Sequence, residues 1–166
     1  MTEQIPSYKA LTDTFAGYGL IPRGGFHPEL EDGIPGNVTI LILVGNAGPD
    51  IWGEFTEMPF DLPTALDHWS KCAIDAVASS VGAEALYPFG GPPFLPFQRW
   101  AQKAEPVHSS PLGILIHPEY GLWHAYRGAL ALSEVIDLPP RDERPWPCET
   151  CADKPCLSAC PVGAFS

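Results

Sequence analysis

Val38-Thr39-Ile40-Leu41-Ile42-Leu43-Val44 is an uninterrupted run of β-branched and leucine side chains between Gly36 and Gly45. A run with no polar face to turn towards water reads as a strand covered on both sides, at the centre of a sheet. Before it, Gly19 to Gly36 is rich in glycine and proline and reads as a loop. Further towards the N-terminus a helix is predicted from Tyr8 to Ala16, with Ser7 as its N-cap and Gly17 as its stop. After it, Gly45-Asn46-Ala47-Gly48-Pro49 reads as a turn, and Asp50 to Glu57 as a short helix opened by the proline.

Between Pro63 and Val81 the apolar residues Leu66, Trp69, Ala73, Ala76 and Val77 recur at helical spacing, which predicts the main helix, ended by Gly82. Ala83 to Tyr87 reads as a strand, Pro88 to Pro93 as a rigid bend, and Pro96 to Lys103 as a short helix. Gly113 to His117 and Leu122 to Leu132 resemble two strands around Pro118-Glu119-Tyr120-Gly121, which predicts an antiparallel hairpin. Strict alternation in the second strand places Trp123, Ala125, Arg127 and Ala129 on one face, and His124, Tyr126, Gly128 and Leu130 on the other. The expected fold is α+β, a mainly antiparallel sheet flanked by helices. Its expected division is a domain over 1–141 and a small cysteine-bearing segment over 142–166, joined by the stiff stretch from Pro139 to Pro147.

The chain has 166 residues, 45% of them hydrophobic and 17% charged, which points to a packed core and excludes wholesale disorder. A net charge of −11, with only nine Lys and Arg and no basic stripe, excludes a nucleic-acid or anionic-membrane partner. No apolar run reaches bilayer length, and Met1-Thr2-Glu3-Gln4 has no basic leader character, so a cytoplasmic location is expected.

Cys148, Cys151, Cys156 and Cys160 are separated by two, four and three residues, and Pro161 follows at once. Thiolates this close can wrap a [4Fe-4S] cube whose irons each take one sulfur ligand, and a terminal Cys-Pro is how ferredoxin runs end. A zinc ribbon sets its two cysteine pairs a dozen or more residues apart, which this tract has no room for. In two-cluster ferredoxins the fourth cysteine of such a run ligates the other cluster. Three readings stay open: all four cysteines share one cluster, the chain is a fragment of a longer protein with a second run, or the site is incomplete. Cys72 could serve as a missing ligand, but a lone cysteine on a helix reads first as a small core residue.

The spacing of the tract resembles the iron–sulfur subunits of molybdenum-enzyme reductases, and the tract as a whole resembles those of epoxyqueuosine reductase and the reductive dehalogenases. Gly113 to Leu132, with its His117-Pro118, Trp123 and Arg127-Gly128, followed by Asp137-Leu138-Pro139-Pro140-Arg141, resembles the cobalamin-processing proteins of the CblC type. Weaker similarity reaches back over most of 1–141. The resemblance implies a fold like the flavin nitroreductases, a bound cobalamin or flavin, and redox chemistry. It also implies a cofactor pocket with Arg127 in its wall and His117 and Trp123 nearby. Tyr87-Pro88 falls where that family has a histidine-proline beside the corrinoid, so Tyr87 stands in place of the histidine.

Plainer readings stand beside these. Trp52, Trp69 and Trp100 read as packing residues, His117 equally as a cap for its own turn, and Arg127 as the partner of a carboxylate. The function expected is an iron–sulfur electron-transfer or reductase protein working with a redox partner protein or a small-molecule cofactor. The alternative is a non-catalytic corrinoid-binding or docking protein with a structural zinc site.

Overall fold

A computed structural model of the chain describes residues 6–56 and 63–165. Its elements in order are α1 (Tyr8–Ala16), β1 (Ile21–Phe26), a 3-10 turn (Leu30–Asp32), β2 (Ile40–Ala47), α2 (Asp50–Thr56), α3 (Ala65–Ser80), β3 (Glu84–Leu86), α4 (Phe97–Ala104), β4 (His108–Ser109), β5 (Leu115–Ile116), β6 (His124–Leu132) and α5 (Pro155–Ser158). Four strands form one antiparallel sheet in the order β1-β2-β6-β3, and β4 and β5 make a separate ribbon. The protein is α+β, with helices on both faces of the sheet. Met1-Thr2-Glu3-Gln4 and Glu57 lie outside the described residues.

The central strand is where its composition puts it. Alternate residues of β2 serve two separate cores: Ile40, Ile42 and Val44 meet Leu11 and Phe15 of α1 and Ile74 and Val77 of α3, while Leu41 and Leu43 meet Trp100 and Ala101 of α4. Burying each large aliphatic or aromatic side chain contributes about 1.5–3 kcal/mol, so this strand anchors the domain. Helix α1 starts where Ser7 Oγ accepts the N–H of Ala10 at 3.1 Å, the N-cap bond expected of serine. Trp69 and Trp100 are packed inside as expected, but Trp52 is 52% exposed because α2 turns it away from the sheet.

Three expectations are corrected. The stretch Gly19 to Gly36 contains β1, an edge strand whose register shifts between Pro22 and Gly25. Proline and a bulge are tolerated at a sheet edge, and these are the residues that made the stretch look like a loop. The hairpin does not form either: β5 pairs with β4, His117 and Gly121 only bridge across their turn, and β6 pairs with β2 and β3. Both edges of β6 are thereby taken, which leaves no ladder for β5. Cys72 is exposed on α3, with its Sγ 3.7 Å from His68 Nε2, and is no core residue.

The simple alternation along β6 fails as well. Val44 pairs with Gly128 and Gly45 with Tyr126, so Arg127 is an extra residue with no partner across the ladder. Across this bulge Tyr126 falls on the same α4 side as Ala129 and Ala131, while Gly128 and Leu130 face α3. The bulge needs a glycine opposite: a Cβ on Gly45 would overlap the Ala125 carbonyl oxygen and stand 3.1 Å from Tyr126 Cα. Gly45→Ala should therefore cost at least about 2 kcal/mol and lower the melting temperature by several degrees. Gly53→Ala, in α2 with nothing within 4 Å of the new methyl, should be neutral or gain up to about 1 kcal/mol. Thermal unfolding of the two variants side by side checks both.

Candidate functional site

Arg23, on β1, is only 1% exposed. Its Nε donates to Glu105 Oε2 at 3.2 Å and its Nη2 to Glu105 Oε1 at 2.6 Å, a two-pronged pair joining β1 to the residue that ends α4. Nη1 donates to the Asn46 carbonyl and Nη2 also to His124 Nδ1, each at 3.2 Å. The Tyr126 hydroxyl donates to Glu105 Oε1, and the guanidinium lies 4.9 Å and 5.2 Å from the ring centres of Tyr126 and Tyr120. Taking an ion pair out of water costs several kcal/mol per ion, and only a network that also satisfies the remaining donors and acceptors offsets it. Tyr126 reaches Glu105 only because the bulge at Arg127 turns it to this face.

The hydrogen bonds fix both histidine tautomers. His124 accepts at Nδ1 from Arg23, so its proton is on Nε2 and goes to the Leu115 carbonyl at 3.2 Å. His117 accepts at Nδ1 from the N–H groups of Glu119 and Tyr120 at 3.1 and 3.2 Å, and its Nε2–H is left 3.8 Å from Glu105 Oε2. The turn-capping geometry read for His117 from the sequence is thus present. Burial, reinforced by the Arg23 guanidinium, pushes both imidazoles from the ordinary 6.5 down to about 4, so both are neutral at pH 7. Burial also raises the Glu105 carboxyl against the pull of Arg23, and burial next to that carboxylate raises the Tyr126 phenol.

A cavity of about 190 Å³ opens against this cluster, with Arg23, Glu105, His117 and Tyr120 in one wall and residues from Pro139 to Arg144 in the other. The proline-rich stretch is therefore docked. Arg141 donates to the Gln102 carbonyl at 3.0 Å, Arg144 pairs with Asp142 and Glu119, and the Trp146 ring lies 5.9 Å from that of His108.

The residues expected to share one pocket are spread over the molecule. His117 is buried in the Arg23 cluster, whereas Trp123 is 81% exposed. Arg127 lies on the α3 side, where Nη2 donates to Asp67 at 3.1 Å while Nε is buried without a partner. Tyr87 is on that side too, its hydroxyl donating to Asp75 at 2.6 Å and its ring 4.6 Å from the Lys71 ammonium. Burial and the Asp75 carboxylate raise its phenol. Arg127 and Tyr87 thus flank one polar stripe of α3, and His117 belongs to the opposite face of the sheet. Arg23, Glu105 and Tyr126 were missed by sequence reasoning. The available signal was an arginine in an otherwise apolar and glycine-rich stretch, and a glutamate between Ala104 and Pro106-Val107.

All five cysteines are free thiols, and the four of the terminal tract are half-buried. Cys156 sits on the single turn of α5, and the Cys160 sulfur accepts the N–H of Ala164 at 3.5 Å. Backbone N–H groups of Ala164, Val162 and Gly163 together pull the Cys160 thiol below its ordinary value, favouring the thiolate. Among the described residues, no three His, Cys, Asp or Glu side chains stand together as a metal-holding group. Four thiolates repel one another and converge only around the charge they bind, so the donor set fits a thiolate-ligated centre in chemistry although its sulfurs are apart.

Compared with known proteins, the chain matches no protein-family model and no curated sequence. No helix among the described residues is long and apolar enough to cross a membrane.

The depressed histidines set a pH dependence. Between about pH 4 and the ordinary value of 6.5 the unfolded chain binds protons that the folded protein refuses. Their contribution to stability is complete above that window and is lost as pH falls through it; Glu105, raised by burial, works in the opposite sense. In His117→Asn the amide oxygen can still accept the Glu119 and Tyr120 N–H groups. This variant should lose less stability than the parent from pH 6.5 to about 4, measured by urea unfolding at a series of pH values. Parallel curves would remove His117 from the account.

Proposed function

We propose that the protein is an iron–sulfur electron-transfer or reductase protein, in which Cys148, Cys151, Cys156 and Cys160 hold a [4Fe-4S] cluster. The observation that carries the reading is the Cys160-Pro161 turn, whose backbone N–H groups converge on one sulfur. N–H groups aimed at sulfur stabilise a ligating thiolate and tune the potential of a cluster. Such a cluster supplies single-electron transfer at low potential. The chain's own part is to hold the four sulfurs half-sheltered and to brace the segment on the domain through Arg144 and Trp146. Oxygen-free purification should give about four irons and four sulfides per chain, with a visible absorption that bleaches on reduction. Cys160→Ala should lose iron and colour, and Cys72→Ser should keep both. Colourless protein with one zinc and no sulfide would establish the structural-zinc alternative in its place.

Within the same reading, the domain over 1–141 is a nitroreductase-like or CblC-like receiver for a corrinoid or flavin. The support is the Gly113 to Arg141 resemblance together with Arg127, whose buried Nε lacks a partner beside the α3 stripe. Added cobalamin should shift to its base-off spectrum with the parent protein and not with Arg127→Ala. An unchanged spectrum with both would remove the corrinoid and leave the cluster reading intact.

A further inference from the structure

We infer that the cavity between Arg23 and the Pro139–Arg144 strap is a binding site for a small aliphatic monocarboxylate, received by Arg141 and the Nε2–H of His117. The inference does not depend on what the cysteines hold.

Charge comes first. Arg23 is matched by Glu105, and Arg144 by Asp142 and Glu119. Arg141, also in the wall, has one hydrogen bond, to a backbone carbonyl, and no ion pair among the described residues. Arg141 is therefore the one cation of the lining without a carboxylate partner among the described residues. The cavity also carries a donor without an acceptor: His117 is 4% exposed, its Nδ1 is occupied by two backbone N–H groups, and its Nε2–H stands 3.8 Å from the nearest carboxylate oxygen, beyond a hydrogen bond. That N–H is open to the cavity, where an entering ligand oxygen can accept its bond. One cation and one neutral N–H match a single carboxylate. Glu105 and Asp142 in the same walls repel any anion, and a dianion such as phosphate meets about twice the repulsion that a monoanion does.

Shape and lining choose the rest of the ligand. Ile21, Pro22, Ala104, Pro106, Pro139 and Pro140 supply apolar surface around the polar end. The volume of about 190 Å³ exceeds the roughly 150 Å³ that holds a benzene ring, so an acid of about six heavy atoms fits. A short hydrocarbon tail against proline and alanine places its carboxylate on Arg141 and His117.

Calorimetric titration of the full chain at pH 7 with sodium butyrate, butyramide and inorganic phosphate tests this. Butyrate should bind saturably with a dissociation constant of about 1 mM, the range expected for about six heavy atoms, and should move the His117 imidazole resonance. Arg141→Gln, which changes an exposed side chain and should leave the fold intact, should weaken butyrate about tenfold through loss of one charge-assisted contact. Butyramide and phosphate should bind far more weakly. Absence of saturable butyrate binding, equal binding of butyramide or phosphate, an unmoved His117 resonance, or unchanged affinity in Arg141→Gln would each overturn the inference. Iron-free protein that binds butyrate, or iron-loaded protein that does not, separates this site from the cluster reading.

Discussion

The close approach of Gly45 to the Ala125–Tyr126 backbone is the constraint from which the arrangement of polar groups follows. Strand β6 carries one residue more than β2 can pair, and the surplus is Arg127. Such a bulge resets the side-chain alternation beyond it. Residues after it keep Leu130 and Leu132 against α3, while Tyr126 before it is delivered to Glu105 on the other face. Arg127 is meanwhile free to reach Asp67 on α3. A glycine opposite the surplus residue thus divides the ionisable groups of β6 between two sides of the sheet.

The side that receives Tyr126 is held by a network joining residues far apart in the chain. Arg23 and Glu105 are 82 positions apart, and their contact ties the edge strand β1 to the end of α4. His124 and Asn46 add β6 and β2 to the same guanidinium. With all of these in place the charges are tolerable in the interior; with Arg23 or Glu105 missing, the other is left as a buried charge without its counterpart. The α3 side is organised otherwise, by apolar packing of Leu11, Phe15, Ile74 and Val77, with Asp67 and Asp75 on its rim.

The sequence showed those parts of the fold that local pattern controls. Ile40 to Val44 could only be a covered strand, Ser7 and Gly17 bracket α1, and the spacing of Trp69, Ala73 and Val77 gave α3. Non-local pairing decided the rest. Whether Leu115 would pair with β6 or with His108–Ser109 depends on β3 taking the free edge of β6, which no window of sequence contains. The bulge at Arg127 is equally silent, because a single surplus residue leaves composition and hydropathy unchanged. For the same reason His117 and Arg127, neighbours in one sequence word, lie on opposite faces, and the Arg23–Glu105 pair was invisible from either residue alone. The cysteine spacing is read from the sequence alone, and the four sulfurs it brings within thirteen positions stand apart in the structure.

The strap from Pro139 to Arg144 is at once a wall of the Arg23 cavity and the stem of the cysteine segment. The position of the stem and the shape of that space are therefore set by the same residues. Because Arg144 lines that cavity and Trp146 lies against His108, a shift of the cysteine segment that moves Arg144 reshapes the wall directly.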